Sequence, residues 1–200
     1  MNDEPDGLSH LIGQRIAARR GALALSLEEI ALRTGVSRAM VSRIERGEVH
    51  ASAVLLDKLC AGLGLSLSAL FARDVAAPLL RRADQPVWQD PASGYIRREV
   101  APAGTGSRVK IVEVEFPPGA EVTYAPSHGR VIDQHIWVLK GSIEVTLSPA
   151  SGAAASRAAV SYLLRKGDCL QMRVADGNSF RNTGDKTARY AVIVTQETAA

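Results

Sequence analysis

Residues 26–47 read SLEEIALRTGVSRAMVSRIERG, and their chemistry predicts two short helices joined by a tight turn. Ser26 is followed three residues later by Glu29, the reciprocal capping spacing that satisfies the free N–H groups at a helix start. Leu27, Ile30 and Ala31 then form an apolar face at helical spacing, and Gly35 stands where the chain must turn. Ser37 can cap the second helix, Met40, Val41 and Ile44 give it an inward face, and Gly47 closes it. The intervening Arg38, Ala39, Ser42, Arg43 and Arg46 point away from that packing.

A helix that presents arginines and small side chains outward suits the major groove of double-stranded DNA, where Arg pairs two-pronged with guanine. Around it, Ile12 and Ile16 mark an earlier helix, and Ser52 caps a later one carrying Leu55, Leu56, Leu59 and Leu63. Residues 66–71 (SLSALF) close the unit. From Leu8 to Phe71 the segment resembles the helix-turn-helix of the Cro/phage-repressor, or Xre-type, class. The resemblance implies base-reading positions at Arg38, Ala39 and Arg43, with Ser42 beside them and Arg46 on the same outward side. It also implies an ion pair, Arg20 with Glu45, tying the first helix to the recognition helix. Leu27 departs from the family pattern, standing where many members carry a glutamine that touches phosphate. A plainer alternative is a helical bundle, or a helix-turn-helix used for protein contact. Between Leu8 and Arg73, nine Lys/Arg stand against five acids, a net of +4. That balance favours phosphate contact, although a single such domain binds weakly.

The whole chain has 200 residues, 46% of them hydrophobic and 22% charged, the composition of a folded protein rather than a disordered one. Its formal net charge of +3 is too small to identify a nucleic-acid binder by itself. The expected organisation is a helix-turn-helix domain over 8–72, a linker and packing arm over 73–106, and a β-domain over 107–197. Cys60 and Cys169 lie in apolar-periodic segments without metal-ligand spacing and are expected as buried free thiols. The acidic start (Asp3, Glu4, Asp6) is not a signal peptide, and no apolar run is long enough to cross a bilayer. The expectation is a soluble, cytoplasmic chain with no membrane partner.

Pro78, Pro86 and Pro91 interrupt residues 72–100, yet Trp88, Tyr95 and their apolar neighbours are too hydrophobic for a free linker. Trp88 reads as a packing anchor. From Arg108 the hydrophobic period changes to two. Strands are predicted at 109–116, 120–125, 132–139, 142–147, 158–165, 169–174 and 189–195. Gly-containing turns separate them, including 117–119, 140–141, 166–168, 176–177 and 183–185. Many short strands without helices predict an antiparallel sandwich or barrel. Residues 148–159, small and poor in large side chains, read as a hairpin loop.

Pro118-Gly119, then QHIWVLKG at 134–141, then Gly167-Asp168, and finally Phe180-Arg181-Asn182 resemble, in order and spacing, the two motifs of a cupin barrel. The implied fold class is thus multidomain α and β: a repressor-like helical bundle followed by an antiparallel β-barrel of the cupin, jelly-roll type. Many cupins hold a divalent metal with three histidines and a glutamate. Here Gln134 stands at the glutamate position and Asn178 at a histidine position, leaving His128 alone, and amides are poor ligands. No catalytic residue, metal or cofactor is therefore expected. If Gln134 points inward, His135 points outward. Gln134, Ile136, Asn178 and Phe180, with His128, are the candidate lining of a pocket for a small-molecule effector. The reading is a DNA-binding transcriptional regulator, active as a homodimer. Its rivals are a metal-dependent cupin enzyme with an appended DNA module, and a DNA-binding protein whose filled barrel serves only assembly.

Overall fold

The structure, a computed structural model, describes residues 7–71, 77–126, 133–148, 158–173 and 177–195. The chain divides into two compact units, Met1–Ala72 and Arg73–Ala200.

The first unit holds α1 (Gly7–Ala22), α2 (Leu27–Thr34), α3 (Arg38–Glu45), α4 (Ala53–Leu63) and α5 (Leu67–Phe71). Local chemistry sets the boundaries. At the start of α2 the Ser26 hydroxyl accepts from Glu29 N–H at 3.1 Å, and the Glu29 carboxylate accepts from Ser26 N–H at 2.7 Å. Ser37 and Ser52 cap α3 and α4 through the N–H groups of Met40 and Leu55. At the end of α3 the Glu48 N–H reaches Arg43 C=O at 3.0 Å and the Gly47 N–H reaches Ile44 C=O at 2.9 Å. Gly47 holds a left-handed φ of 70° there, the conformation that favours glycine in this motif. A Cβ on it would also lie 2.9 Å from His10 Cα. Ile12, Ile16, Ile30, Val41, Ile44, Leu56, Leu59 and Leu63 are buried together as the core.

The second unit is a two-layer antiparallel β-domain. Its strands are β1 (Val87–Gln89), β2 (Ile96–Glu99), β3 (Val109–Phe116), β4 (Glu121–Tyr124), β5 (Asp133–Lys140), β6 (Ser142–Ser148), β7 (Val160–Arg165), β8 (Cys169–Arg173), β9 (Gly177–Arg181) and β10 (Ala188–Thr195). One sheet has the order β1-β2-β3-β10-β5-β8, the other β4-β9-β6-β7. From β3 onward the chain changes sheet at every connection except the β6–β7 hairpin, which is jelly-roll topology. The barrel expected from the motifs thus takes the form of two facing sheets, with no strand pairing between them among the described residues.

Three details differ from the expectation. β1 and β2 form a hairpin that extends the six-stranded sheet beside β3, through Arg97↔Val114 and Arg98↔Glu113. The prolines sit at its ends: Pro86 C=O accepts from Glu99 N–H at 3.0 Å, and Pro91 lies in the turn closed by Gly94 N–H on Asp90 C=O at 2.9 Å. Gly177 opens strand β9 rather than belonging to a turn. Cys60 is buried as expected, whereas Cys169 is exposed at the start of β8, on the outer side with Trp137.

Aromatic rings bridge the two layers. Phe180 of β9 stacks on Tyr190 of β10 at 6.0 Å with 3° between planes, and Tyr124 of β4 meets Phe180 edge-on at 6.3 Å. Asn182 staples the corner, donating to Phe116 C=O at 2.8 Å and Lys186 C=O at 2.9 Å while accepting from Gly184 N–H.

Candidate functional site

In the helical unit, α3 has one buried and one exposed side. Val41 and Ile44 are buried; Arg38, Ala39, Arg43 and Arg46 are exposed, and Ser42 is half-buried. The helix backbone is pinned from behind by α1. A Cβ at Gly13 would meet the carbonyl oxygens of Ile44 and Glu45, the latter at 2.6 Å, so only glycine lets α1 come this close. Arg20 donates through Nε to Glu45 Oε1 at 2.6 Å and through Nη2 to Oε2 at 2.8 Å, and through Nη1 to Leu25 C=O at 2.8 Å. The hydrogen bond to Glu45 raises the Arg20 pKa against the cost of burial.

On the exposed side, Arg38 Nε lies 3.8 Å from Glu28 at the start of α2, both side chains well exposed. Arg46, just past the end of α3, is engaged by its own neighbours: it forks onto Glu48 and donates to Ser42 Oγ. Leu27, the departure from the family pattern, is half-buried at the first position of α2.

In the β-domain, Ile136 is fully buried in β5, and Phe180 is buried in β9 as part of the aromatic stack. Gln134 lies half-buried on the same strand face as Ile136, opposite Val194 and Met172, with His135 exposed on the other face. Asn178 is buried in β9, in the other sheet. His128 lies outside the described residues. Gln134 and Asn178 offer a metal only neutral amides. Among the described residues no group of three or more His, Cys, Asp or Glu could hold a metal ion. The donor set does not fit the metal that the cupin resemblance brings to mind.

The structure gathers a different polar group that the sequence reading missed. Arg97 and Glu99, two residues apart on β2, share a strand face and are only 9% and 7% exposed. Arg97 Nε donates to Glu99 Oε1 at 2.9 Å. Their register partners Val114 and Val112 are buried, so this face of β2 is turned into the domain. Tyr95 and Tyr124 meet hydroxyl to hydroxyl at 3.4 Å beside Arg97. Burial works against the Arg97 charge, yet Glu99, Tyr95 and Tyr124 together outweigh it and the guanidinium pKa rises. Burial pushes the phenols of Tyr124 and Tyr190 well above the usual tyrosine range, so both stay protonated donors. The available signal was the alternation Tyr95, Arg97, Glu99, which on a strand puts all three on one face.

No helix among the described residues is long and apolar enough to cross a membrane. Residues 16–70 match the HTH_3 family model, described as helix-turn-helix. Among solved structures, the chain is similar to an HTH_3 family transcriptional regulator from Vibrio cholerae, at 22% identity and a TM-score of 0.72, over 96% of this chain and 98% of that one. At this identity the likeness is one of fold. It is more distantly similar to the Cupin_2 domain of an XRE family transcriptional regulator from Enterobacter cloacae: 14% identity, TM-score 0.42, over 52% of this chain and 98% of that one. Hydroxypropylphosphonic acid epoxidase from S. wedmorenis stands at 16% identity and a TM-score of 0.47, over 94% of this chain and 98% of that one. Both are too distant to bear on function. No curated protein sequence matches the chain. Residues 16–70 thus form a helix-turn-helix domain of the HTH_3 family.

Proposed function

We propose that the protein is a sequence-specific DNA-binding regulator of transcription, working in the cytoplasm as a homodimer, with a β-domain that takes a small-molecule effector. One observation carries the DNA reading: α3 exposes Arg38, Ala39 and Arg43 on one side while Gly13 and the Arg20–Glu45 pair lock its other side to α1. A rigidly mounted helix with arginines in its first turns is suited to base-edge contacts in the major groove. Pairing of two such helices across a two-fold axis supplies the affinity that one lacks. Trp137, 46% exposed on the outer side of β5, favours a second copy as its cover, since the β1–β2 hairpin extends the far end of that sheet edge-on. The amides at Gln134 and Asn178 favour a sensor over a metal-dependent enzyme. Genome-wide mapping of bound DNA, followed by competition binding on the recovered sites at fixed salt, tests the reading. Enrichment of a palindromic sequence is expected; binding that shows no sequence preference would overturn it.

A further inference from the structure

We infer that Glu28, in the first turn of α2, is a specificity-determining residue of the DNA-binding unit: its carboxylate holds one edge of the Arg38 guanidinium and so confines Arg38 to guanine. The inference rests on the reading of α3 as a recognition helix and adds to base selection a residue from outside that helix.

Geometry argues first. Arg46 donates through Nε and Nη2 to Glu48 and through Nη1 to Ser42, so every nitrogen of its head is engaged. Arg38 is held differently. Its contact with Glu28 Oε2, at 3.8 Å, runs through Nε, on the stem side of the head. The far end, Nη1 and Nη2, has the spacing of guanine O6 and N7. The two side chains are 68% and 76% exposed, so the carboxylate stands beside Arg38 at the surface α3 offers to the groove. The cap of α2 does not need Glu28, because Glu29 and Ser26 complete it between themselves.

Electrostatics argue second. A lone arginine is satisfied by any phosphate, and phosphate contacts carry no sequence information. A carboxylate beside it cancels part of the charge that phosphates attract and repels them itself. The guanine edge is neutral and presents two acceptors to the fork, so the contact with guanine is spared. Glu28 thus weakens binding to DNA at large more than binding to the right site, which is specificity by a repulsive element. In water an exposed pair of this kind is weak. Docking in the groove displaces water, and the pair strengthens where it is used.

Competition binding of the full chain at fixed salt tests the assignment. The DNAs are a site recovered by mapping bound DNA, its single-base-pair substitutions, and a duplex of unrelated sequence. Arg38→Ala first locates the base pair that Arg38 reads. At that pair Glu28→Ala is expected to cut discrimination about fivefold, the upper end for an exposed ion pair. It should tighten binding to the unrelated duplex by about two- to fivefold and leave the pair read by Arg43 unchanged. In an Arg38→Ala background, Glu28→Ala should alter no base preference. An acid in the first turn of a helix also adds a little stability. Urea unfolding reads that role, which would not single out one base pair. Unchanged discrimination at the Arg38 pair, equal relaxation at every pair, or relaxation that persists without Arg38 would each overturn the assignment and leave the recognition-helix reading standing. Wild-type protein that prefers no sequence would overturn both.

Discussion

Arg20 and Glu45, twenty-five residues apart, form a two-pronged ion pair of 2.6 and 2.8 Å that joins the last turn of α1 to the last residue of α3. The side chains are 21% and 10% exposed, intermediate between surface pairs and fully buried ones. Because Arg20 also donates to Leu25 C=O, it fixes both the start of the α2 segment and the end of α3. Replacing either partner by Ala should cost about 2 kcal/mol, between the worth of exposed and buried pairs. Urea unfolding of both single variants and the double variant measures it, and an absent coupling in that cycle would count against the pair. Arg20→Lys should not restore it, since an ammonium cannot make the same fork.

Arg38→Ala and Arg43→Ala should each weaken specific DNA binding by about 1–3 kcal/mol and relax preference at one base pair. Arg46→Ala should act more weakly, because Arg46 is already committed to Glu48 and Ser42. Competition binding at fixed salt separates the three.

Asp57, on α4, has its pKa pushed up by burial from 3.8 to about 6. The folded state therefore holds this proton more tightly than the unfolded chain. The stability so gained is complete below pH 3.8 and is lost as pH rises through about 6. Asp57→Asn should remove that dependence and raise the stability of the helices near neutral pH by about 1–3 kcal/mol, from a shift of roughly two units. Far-UV circular dichroism during urea unfolding, at several pH values between about 4 and 7, reads it.

Chelators should leave folding and DNA binding intact, because amides at Gln134 and Asn178 bind divalent ions poorly. Gln134→Ala should reduce any effector-induced change in DNA affinity, a coupling of about 1–3 kcal/mol in regulators of this kind. Stoichiometric iron, manganese, nickel or zinc in native protein, lost together with that response on chelation, would reverse this reading and revive an enzyme.

Sedimentation equilibrium at micromolar concentration should show a dimer, and Trp137→Glu should shift it towards monomer by placing a charge on a face that is 46% exposed in the single chain. A monomer with and without DNA would remove the two-fold arrangement, in which recognition helices sit roughly 34 Å apart.

How much of this was written along the chain depends on the reach of each interaction. Caps act over three to five residues, so Ser26 with Glu29, Ser37, Ser52 and Gly47 announce their helix ends without reference to anything distant. Period-two alternation likewise marked β3, β5, β6 and β10, because the pleat is a property of one strand. Gly13 gave no such signal: within a helix it reads as a weakness, and only the approach of α1 to the carbonyls of α3 makes it necessary. β1 and β2 escaped because prolines bracket them and IRRE reads as a solvated edge. Pairing with β3 is a long-range event, and it alone turned Arg97 and Glu99 inward. The sequence by itself determined the helix-turn-helix, its exposed arginines and the β class of the second unit, all local patterns of cap and period. Tertiary structure decided which polar groups meet between the sheets, because sheet order and register bring Tyr95, Arg97 and Glu99 to Tyr124 and Tyr190 from separate parts of the chain.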